Sequence, residues 1–305
     1  MVGRRDEERT VTEPTTGRLR LVVSQLIDQL RMPPSPGTIY RYPKLRNFVL
    51  DVLAEGRRKQ IVHVLLEADL GGVREQLAEL RQRGGEPASM TSYIAKSFAC
   101  AIAEDKRMQA YRLGRNRFIA FDDIDLAFMI EREWEGEAIP VFYVLRTAQH
   151  KTIHEISGEL HAARQRPLGT DGPMNALEMQ FFHLPRVLRK ALWFFVRRNP
   201  YWFKDLAGTA GVTSIGMFTS GAAVCVPITP MTLTLTIGAI EKKLALREGR
   251  AEERDFVHLN LSADHDIIDG APLMRFAERF KQMLADRTAL SSAHAQQDGD
   301  CAPGA

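Results

Sequence analysis

Cysteine is scarce: the 305 residues hold only Cys100, Cys225 and Cys301, with no CxxC pair. That scarcity argues against a disulfide scaffold and a zinc site, and it suits a reducing cytosol, so a cytoplasmic location is expected. Neither sign of charge dominates. Lys and Arg total 41 against 38 Asp and Glu, a formal net charge of +3. Nucleic-acid binding needs a concentrated basic face, so it is not expected. No signal peptide is expected, because Met1 to Thr16 is polar and charged with no apolar run. Leu206 to Ile240 lacks Asp, Glu, Lys and Arg and is long enough to cross a bilayer. Gly208, Gly211, Gly216, Gly221, Pro227 and Pro230 interrupt it, and Thr232 to Ile237 alternates with period two. The pattern is that of buried strand and turn.

What is present is enough apolar material for a sizeable core, 45% of the residues, with 26% charged. Residues 1–40 read as a polar extension, with a short helix over Leu19 to Leu30 ended by Pro33, Pro34 and Pro36. The folded domain is expected over 41–288 and a disordered tail over 289–305. Leu45, Phe48, Val49, Val52 and Leu53 follow helical spacing, with Gly56 placed to end the helix. Ile61 to Asp69 reads as a strand, and Leu70 to Arg83 and Ser92 to Ala103 as helices. Ile124 to Ile130 and Ile139 to Leu145 read as strands of one sheet. Ile153 to Arg164 reads as helix and 166–173 as loop. Glu248 to Arg254 reads as a charged turn, Phe256 to Ala263 as a strand, and Ala271 to Leu284 as a helix. The last carries an apolar stripe at Leu273, Phe276, Ala277, Phe280, Met283 and Leu284. Intermixed strands and helices give an α/β or α+β class.

The sharpest chemical feature is Ser262-Ala-Asp264-His265-Asp-Ile-Ile-Asp269-Gly270, between a strand and a helix. A strand end is a rigid platform for a loop side chain. Histidine is the side chain whose ordinary pKa lets it take a proton near neutrality. Asp269 can cap the following helix or fix the loop through an ion pair, and Gly270 permits a tight turn. A histidine at a strand end is ordinarily structural, so spacing alone leaves this a hint. His63 and His258, in strands, read as packed residues. His150, His154 and His161 do not make a metal set, so no metal is expected.

The wider pattern resembles the catalytic domain of the acyltransferase component of 2-oxo acid dehydrogenase complexes and, more distantly, chloramphenicol acetyltransferase. The family's D-H-x-x-x-D-G is matched by Asp264, His265, Asp269 and Gly270. In order along the chain, His63 to Asp69, Ala138-Ile-Pro-Val141 with Ile153-His-Glu-Ile156, Thr213 to Phe218, Pro227-Ile-Thr-Pro230 and Ile237-Gly-Ala-Ile240 also look like family blocks, over residues 43–285. The resemblance implies a chloramphenicol acetyltransferase-like two-layer sandwich, with a central mixed sheet and packed helices. It implies a general base at His265, an oxyanion donor at Thr213 or its neighbour Ser214, and an ion pair from Asp269 to Arg46 that holds the loop. It implies a homotrimer with the site between neighbours and coenzyme A as a substrate. A lipoyl group would come from a separate lipoyl or acyl-carrier protein, because no lipoyl domain is recognised before the core.

Two departures stand out. Asp266 replaces the family's usual basic residue after the histidine. An insertion over about 166–205 carries Leu184, Val187, Leu188, Ala191, Phe194 and Phe195 on one helical face, with Arg186, Arg189, Lys190, Arg197 and Arg198 around them. Packing of that face on the core or a trimer interface is the ordinary role. A weak membrane-surface contact through 184–203, or a lid over an acyl-chain site, are the other two. Beside a working acyltransferase stand two further classes. One is a non-catalytic trimeric assembly protein, which has no need of His265 or Thr213. The other is a secondary-metabolism acyltransferase or condensation enzyme, whose HHxxxDG motif has a histidine where this chain has Asp264.

Overall fold

A computed structural model describes residues 37–38, 46–82, 88–134, 137–165, 184–216, 221–247, 249–287 and 289–290. The expectations for Leu19 to Leu30, for the 166–173 loop and for the tail from Ser291 lie outside them. The chain divides into two compact units, Met1–Tyr42 and Pro43–Ala305; the second is described below.

Its elements are helix α1 (Arg46–Gly56), strand β1 (Ile61–Asp69), α2 (Val73–Gln82), α3 (Met90–Glu104), β2 (Tyr111–Arg112), β3 (Phe118–Ile119), β4 (Leu126–Trp134) and β5 (Glu137–Leu145). Then come α4 (Ile153–Gln165), α5 (Arg186–Val196), α6 (Pro200–Ala207), β6 (Ala210–Ser214), β7 (Leu233–Arg247), β8 (Arg250–Asp264) and α7 (Gly270–Ala285). Six strands form one mixed sheet in the order β1-β8-β7-β6-β4-β5; β6 runs parallel to both β4 and β7, and the other pairs are antiparallel.

The expected central mixed sheet with packed helices is therefore present. β8 is buried over its last eight residues, Val257 to Asp264, on both faces, as suits a strand deep in a sheet. β5 lies at an edge, where Pro140 is tolerated because no further strand needs its missing N–H. The charged turn expected over Glu248 to Arg254 is corrected: β8 already begins at Arg250 and pairs with β7 from Arg247 onward. Opposite-sign pairs such as Lys242 with Glu253 let a charged segment run as an exposed ribbon.

Alternation along β4 divides the interior. Leu126, Phe128 and Ile130 join the larger core, whereas Ala127 points to the other face. Helices α3, α4 and α7 cover the first face. Ser89 starts α3 with a reciprocal cap: its hydroxyl accepts the Ser92 N–H at 3.1 Å and its N–H donates to the Ser92 hydroxyl at 3.0 Å. Phe98 of α3 meets Phe276 and Phe280 of α7 edge-on, at 6.0 and 5.6 Å. All six residues of the expected α7 stripe are buried, each large one contributing about 1.5–3 kcal/mol. On the second face, Val52 of α1, Trp193 of α5 and Phe203 of α6 pack with Tyr111, Phe121, Ala127 and Met231.

Gly216 and Gly238 meet backbone to backbone. A Cβ on Gly216 would sit 2.2 Å from the Gly238 carbonyl oxygen, and one on Gly238 would sit 2.3 Å from that of Ala223. Only glycine permits that approach, which seats the 221–232 segment beside the β7 bulge between Ile237 and Ile240.

Candidate active site

His265 stands one residue past the end of β8, in a turn tied down from several sides. Its backbone N–H donates to the Gln60 carbonyl at 2.8 Å, which extends the β1–β8 ladder by one step. The N–H groups of Ile267 and Ile268 both donate to the Asp264 carbonyl, at 3.0 and 2.9 Å. The Ile268 side chain, 2% exposed, pins the turn into the core. The His265 imidazole is exposed and has no hydrogen-bond partner among the described residues. The backbone is thus fixed while the ring is presented to solvent.

The turn's ion pair is not the expected one. Asp269 and Arg46 are both exposed and form no pair among the described residues. Asp264 instead carries the pair: its carboxylate, 4% exposed, takes Lys59 at 2.6 Å and accepts the Asp266 N–H at 3.2 Å. The physical reason is burial. A carboxylate shut into the strand end must find a cation, whereas one in water need not. Lys59 is the residue that sequence reasoning missed. The basic run Arg57-Arg58-Lys59 just before β1 was its signal. Asp269 occupies the N-cap position of α7 without a side-chain capping bond. Gly270 has no close neighbour and no left-handed backbone, so nothing here demands a glycine.

Thr213 lies on β6, and alternation separates it from Ser214. Val212 faces the larger core, and Ser214 shares its side; Thr213 faces the other way. There it lines a cavity of about 120 Å³ whose wall is almost wholly apolar, with Val49, Val52, Ala127, Met129, Phe142 and Ile228 among its lining residues. Of the two hydroxyls, Thr213 lines this cavity and Ser214 does not.

Asp125, also missed from sequence, anchors the start of β6. Its carbonyl accepts the N–H groups of Thr209 and Ala210 at 2.7 and 3.2 Å. Its carboxylate takes Arg146 at 2.9 Å, Lys204 at 3.0 Å and the Thr147 N–H at 3.0 Å. Burial works against its ionisation, but those donors outweigh burial and hold the carboxyl below its ordinary range.

His265 and Thr213 do not meet within one chain. Thr213 pairs with Thr236 on β7, and Thr236 with Asn260 on β8, five residues before His265. At about 3.4 Å per residue and 4.8 Å per strand, the two are separated by roughly 20 Å. A base and an oxyanion donor serving one carbonyl each sit within about 3 Å of a reacting atom. One chain alone therefore lacks a complete site made of these two groups.

Of the two strand histidines expected to be packed, His258 is buried and His63 is exposed. His63 Nδ1 is 2.9 Å from the Ser262 hydroxyl, and burial lowers the pKa of His63. His258 is buried between Glu241 at 2.8 Å and Glu67 at 3.2 Å. Glu67, Glu241 and His258 form the one group of metal-ligand type found among the described residues. Lys243 already bridges its two carboxylates at 2.6 and 2.9 Å, supplying the positive charge there.

The family model for the 2-oxoacid dehydrogenases acyltransferase (catalytic domain) matches residues 197–291. Among curated proteins, the lipoamide acyltransferase component of the branched-chain alpha-keto acid dehydrogenase complex of Bacillus subtilis (strain 168) is 25% identical over 194 residues. That match takes in 63% of this chain and 38% of the relative, so the chain spans well under half of that protein's length. Among solved structures, the dihydrolipoamide acetyltransferase of Azotobacter vinelandii, whose catalytic mechanism was probed at a serine, a histidine and an asparagine, superimposes with a TM-score of 0.61 at 16% identity, covering 85% of this chain and 99% of that one. A truncated catalytic core of the 2-oxoacid dehydrogenase multienzyme complex from Thermoplasma acidophilum gives 0.60 at 19% identity, covering 82% and 99%. These structural likenesses show the fold.

Proposed function

We propose, from the premise that this chain carries a catalytic domain of the 2-oxoacid dehydrogenase acyltransferase type, that it moves an acyl group from a thioester to a thiol, hydroxyl or amine acceptor. The donor is an acyl-coenzyme A or an acyl-lipoyl carrier. The observation that carries the reading is the placement of His265 and Thr213. One is an imidazole on a locked strand end. The other is a hydroxyl beside an apolar cavity, roughly 20 Å away in the same chain. Such a pair becomes a site when copies assemble, and a homotrimer with its channel between neighbours supplies that arrangement.

The chemistry then runs as follows. The His265 imidazole takes the proton of the acceptor's X–H, and X attacks the thioester carbonyl carbon. The carbonyl oxygen becomes an oxyanion, to which Thr213 of the neighbouring copy donates its O–H. Collapse of the tetrahedral intermediate breaks the C–S bond, and the leaving thiolate takes the proton back from the imidazolium. The acyl tail lies in the cavity beside Thr213. No covalent enzyme intermediate is needed. Asp264 and Lys59 position the histidine turn and move no proton. A serine and a histidine are among the residues whose role in the catalytic mechanism was investigated in the Azotobacter vinelandii relative, and a hydroxyl and an imidazole are the two chemical types used here.

The test is a thiol-release assay with a panel of acyl-coenzyme A donors and free dihydrolipoamide. The wild type should release thiol from at least one donor, and His265→Ala should lose about 10²–10⁴-fold in turnover with its oligomeric mass unchanged. An assembled protein that releases no thiol from any donor would instead support the non-catalytic assembly reading.

A further inference from the structure

The helix α5 is turned inside out relative to its sequence. At 100° per residue, Val187, Leu188, Ala191, Leu192 and Phe195 share an arc of about 140°. The ordinary expectation, made for Leu184, Val187, Leu188, Ala191, Phe194 and Phe195, is that the apolar face packs on the core or on a trimer interface. The structure buries the opposite side, Arg189 and Trp193, and leaves Val187 77%, Leu188 52%, Leu192 43% and Phe195 57% exposed. The cause is electrostatic. Arg189 reaches Asp51 of α1 at 2.7 Å and the Leu184 carbonyl at 2.9 Å, and Arg197 reaches Glu55 of α1 at 3.4 Å. Two acids on α1 draw the basic side of α5 inward, and the apolar side has nowhere to go but out. Tyr201, Trp202 and Leu206 of α6, the next helix along the chain, are also exposed. Patches of this kind mark contacts with something else.

The charge around the patch says what. From Leu184 to Lys204 the chain contains no Asp or Glu, but it contains Arg186, Arg189, Lys190, Arg197, Arg198 and Lys204. Arg189, Arg197 and Lys204 are paired inward with Asp51, Glu55 and Asp125. Arg186, Lys190 and Arg198 are exposed and have no carboxylate partner among the described residues. Apolar ridge, basic rim and an adjoining Tyr-Trp pair make the pattern of a helix that lies in a lipid headgroup layer. At 100° per residue Lys190 and Arg198 stand beside the apolar arc, whereas Arg186 lies on the side that meets α1; a two-fold contact of this face with itself would bring Lys190 and Arg198 towards their own copies. No helix among the described residues is long and apolar enough to cross a membrane.

We propose that the α5–α6 face docks the protein, peripherally, on an anionic lipid surface. The wild-type full chain is sedimented with vesicles of phosphatidylcholine alone and of phosphatidylcholine mixed with phosphatidylglycerol, and its oligomeric mass is measured by sedimentation velocity. It should pellet with the mixed vesicles, release as salt is raised, and ignore the neutral ones. Phe195→Glu and the double variant Lys190→Glu/Arg198→Glu alter exposed side chains. Each should weaken pelleting at least about tenfold at unchanged mass and melting temperature. Failure of the wild type to pellet with anionic vesicles, or equal pelleting of wild type and both variants, overturns the proposal. So does a lowered oligomeric mass in Phe195→Glu with vesicle binding intact, which would assign the face to a second copy. None of these readouts depends on turnover, so the docking proposal and the acyltransferase reading can fail separately.

Discussion

Helices α5 and α7 look alike as sequence and differ in space. Each carries an apolar stripe at helical spacing with charged residues around it. On α7 the stripe is buried against α3 and the sheet, to the last residue. On α5 it faces outward, because Asp51 and Glu55 of α1 hold the basic side down. Periodicity announces that a helix has two faces, and charge on the neighbouring element decides which is buried.

Truncation should bring that contrast out most strongly. Phe280→Ala, at 0% exposure, should cost about 3–5 kcal/mol, read as a shifted urea midpoint. Next comes the anchoring of α6 and the start of β6 by Asp125. Asp125→Ala removes the buried acceptor of the Thr147 N–H, of Lys204 and of the half-exposed Arg146, and should cost about 3–5 kcal/mol. Because the Asp125 carboxyl titrates below its unfolded value, its contribution is complete above the ordinary carboxylate range and fades as pH falls through the folded value. Melting temperature against pH should therefore fall less steeply in acid for Asp125→Asn than for the wild type. A smaller effect is expected at the histidine turn, where Lys59→Met leaves the buried Asp264 carboxylate without its cation. A loss of about 3 kcal/mol, with the β-sheet circular dichroism retained, is the expected outcome. Smallest of all, Phe195→Ala on α5 should change stability by no more than about 0.5 kcal/mol. A cost near that of Phe280→Ala would mean that the α5 face is buried in the assembled protein.

Much of the fold was legible because burial and periodicity agree. β1 runs over the expected Ile61 to Asp69, and the α7 stripe is buried at all six positions. The catalytic candidates were legible as residue types, since His265 lies between a strand and a helix in a turn the strand end dictates. The supporting ion pair was not. Sequence spacing cannot tell which of Asp264 and Asp269 points inward, and the buried one takes the cation. The separation of His265 from Thr213 was expected only through the family resemblance, which puts the site between neighbours; spacing along the chain does not show it, because it depends on β7 lying between β6 and β8. The exposed ribbon at Arg250 to Arg254 was missed because its charges pair across strands, where they read along the chain as a turn.

Subunit complementation probes the shared site directly. His265→Ala and Thr213→Ala proteins are each assayed for thiol release, then produced together in one cell and assayed as the mixed assembly. With the imidazole and the hydroxyl coming from different copies, both single variants are nearly inactive and the mixture regains about a quarter of wild-type turnover, the share of interfaces that keep both groups. A mixture as inactive as its parents would put both groups in one chain's site and contradict the account.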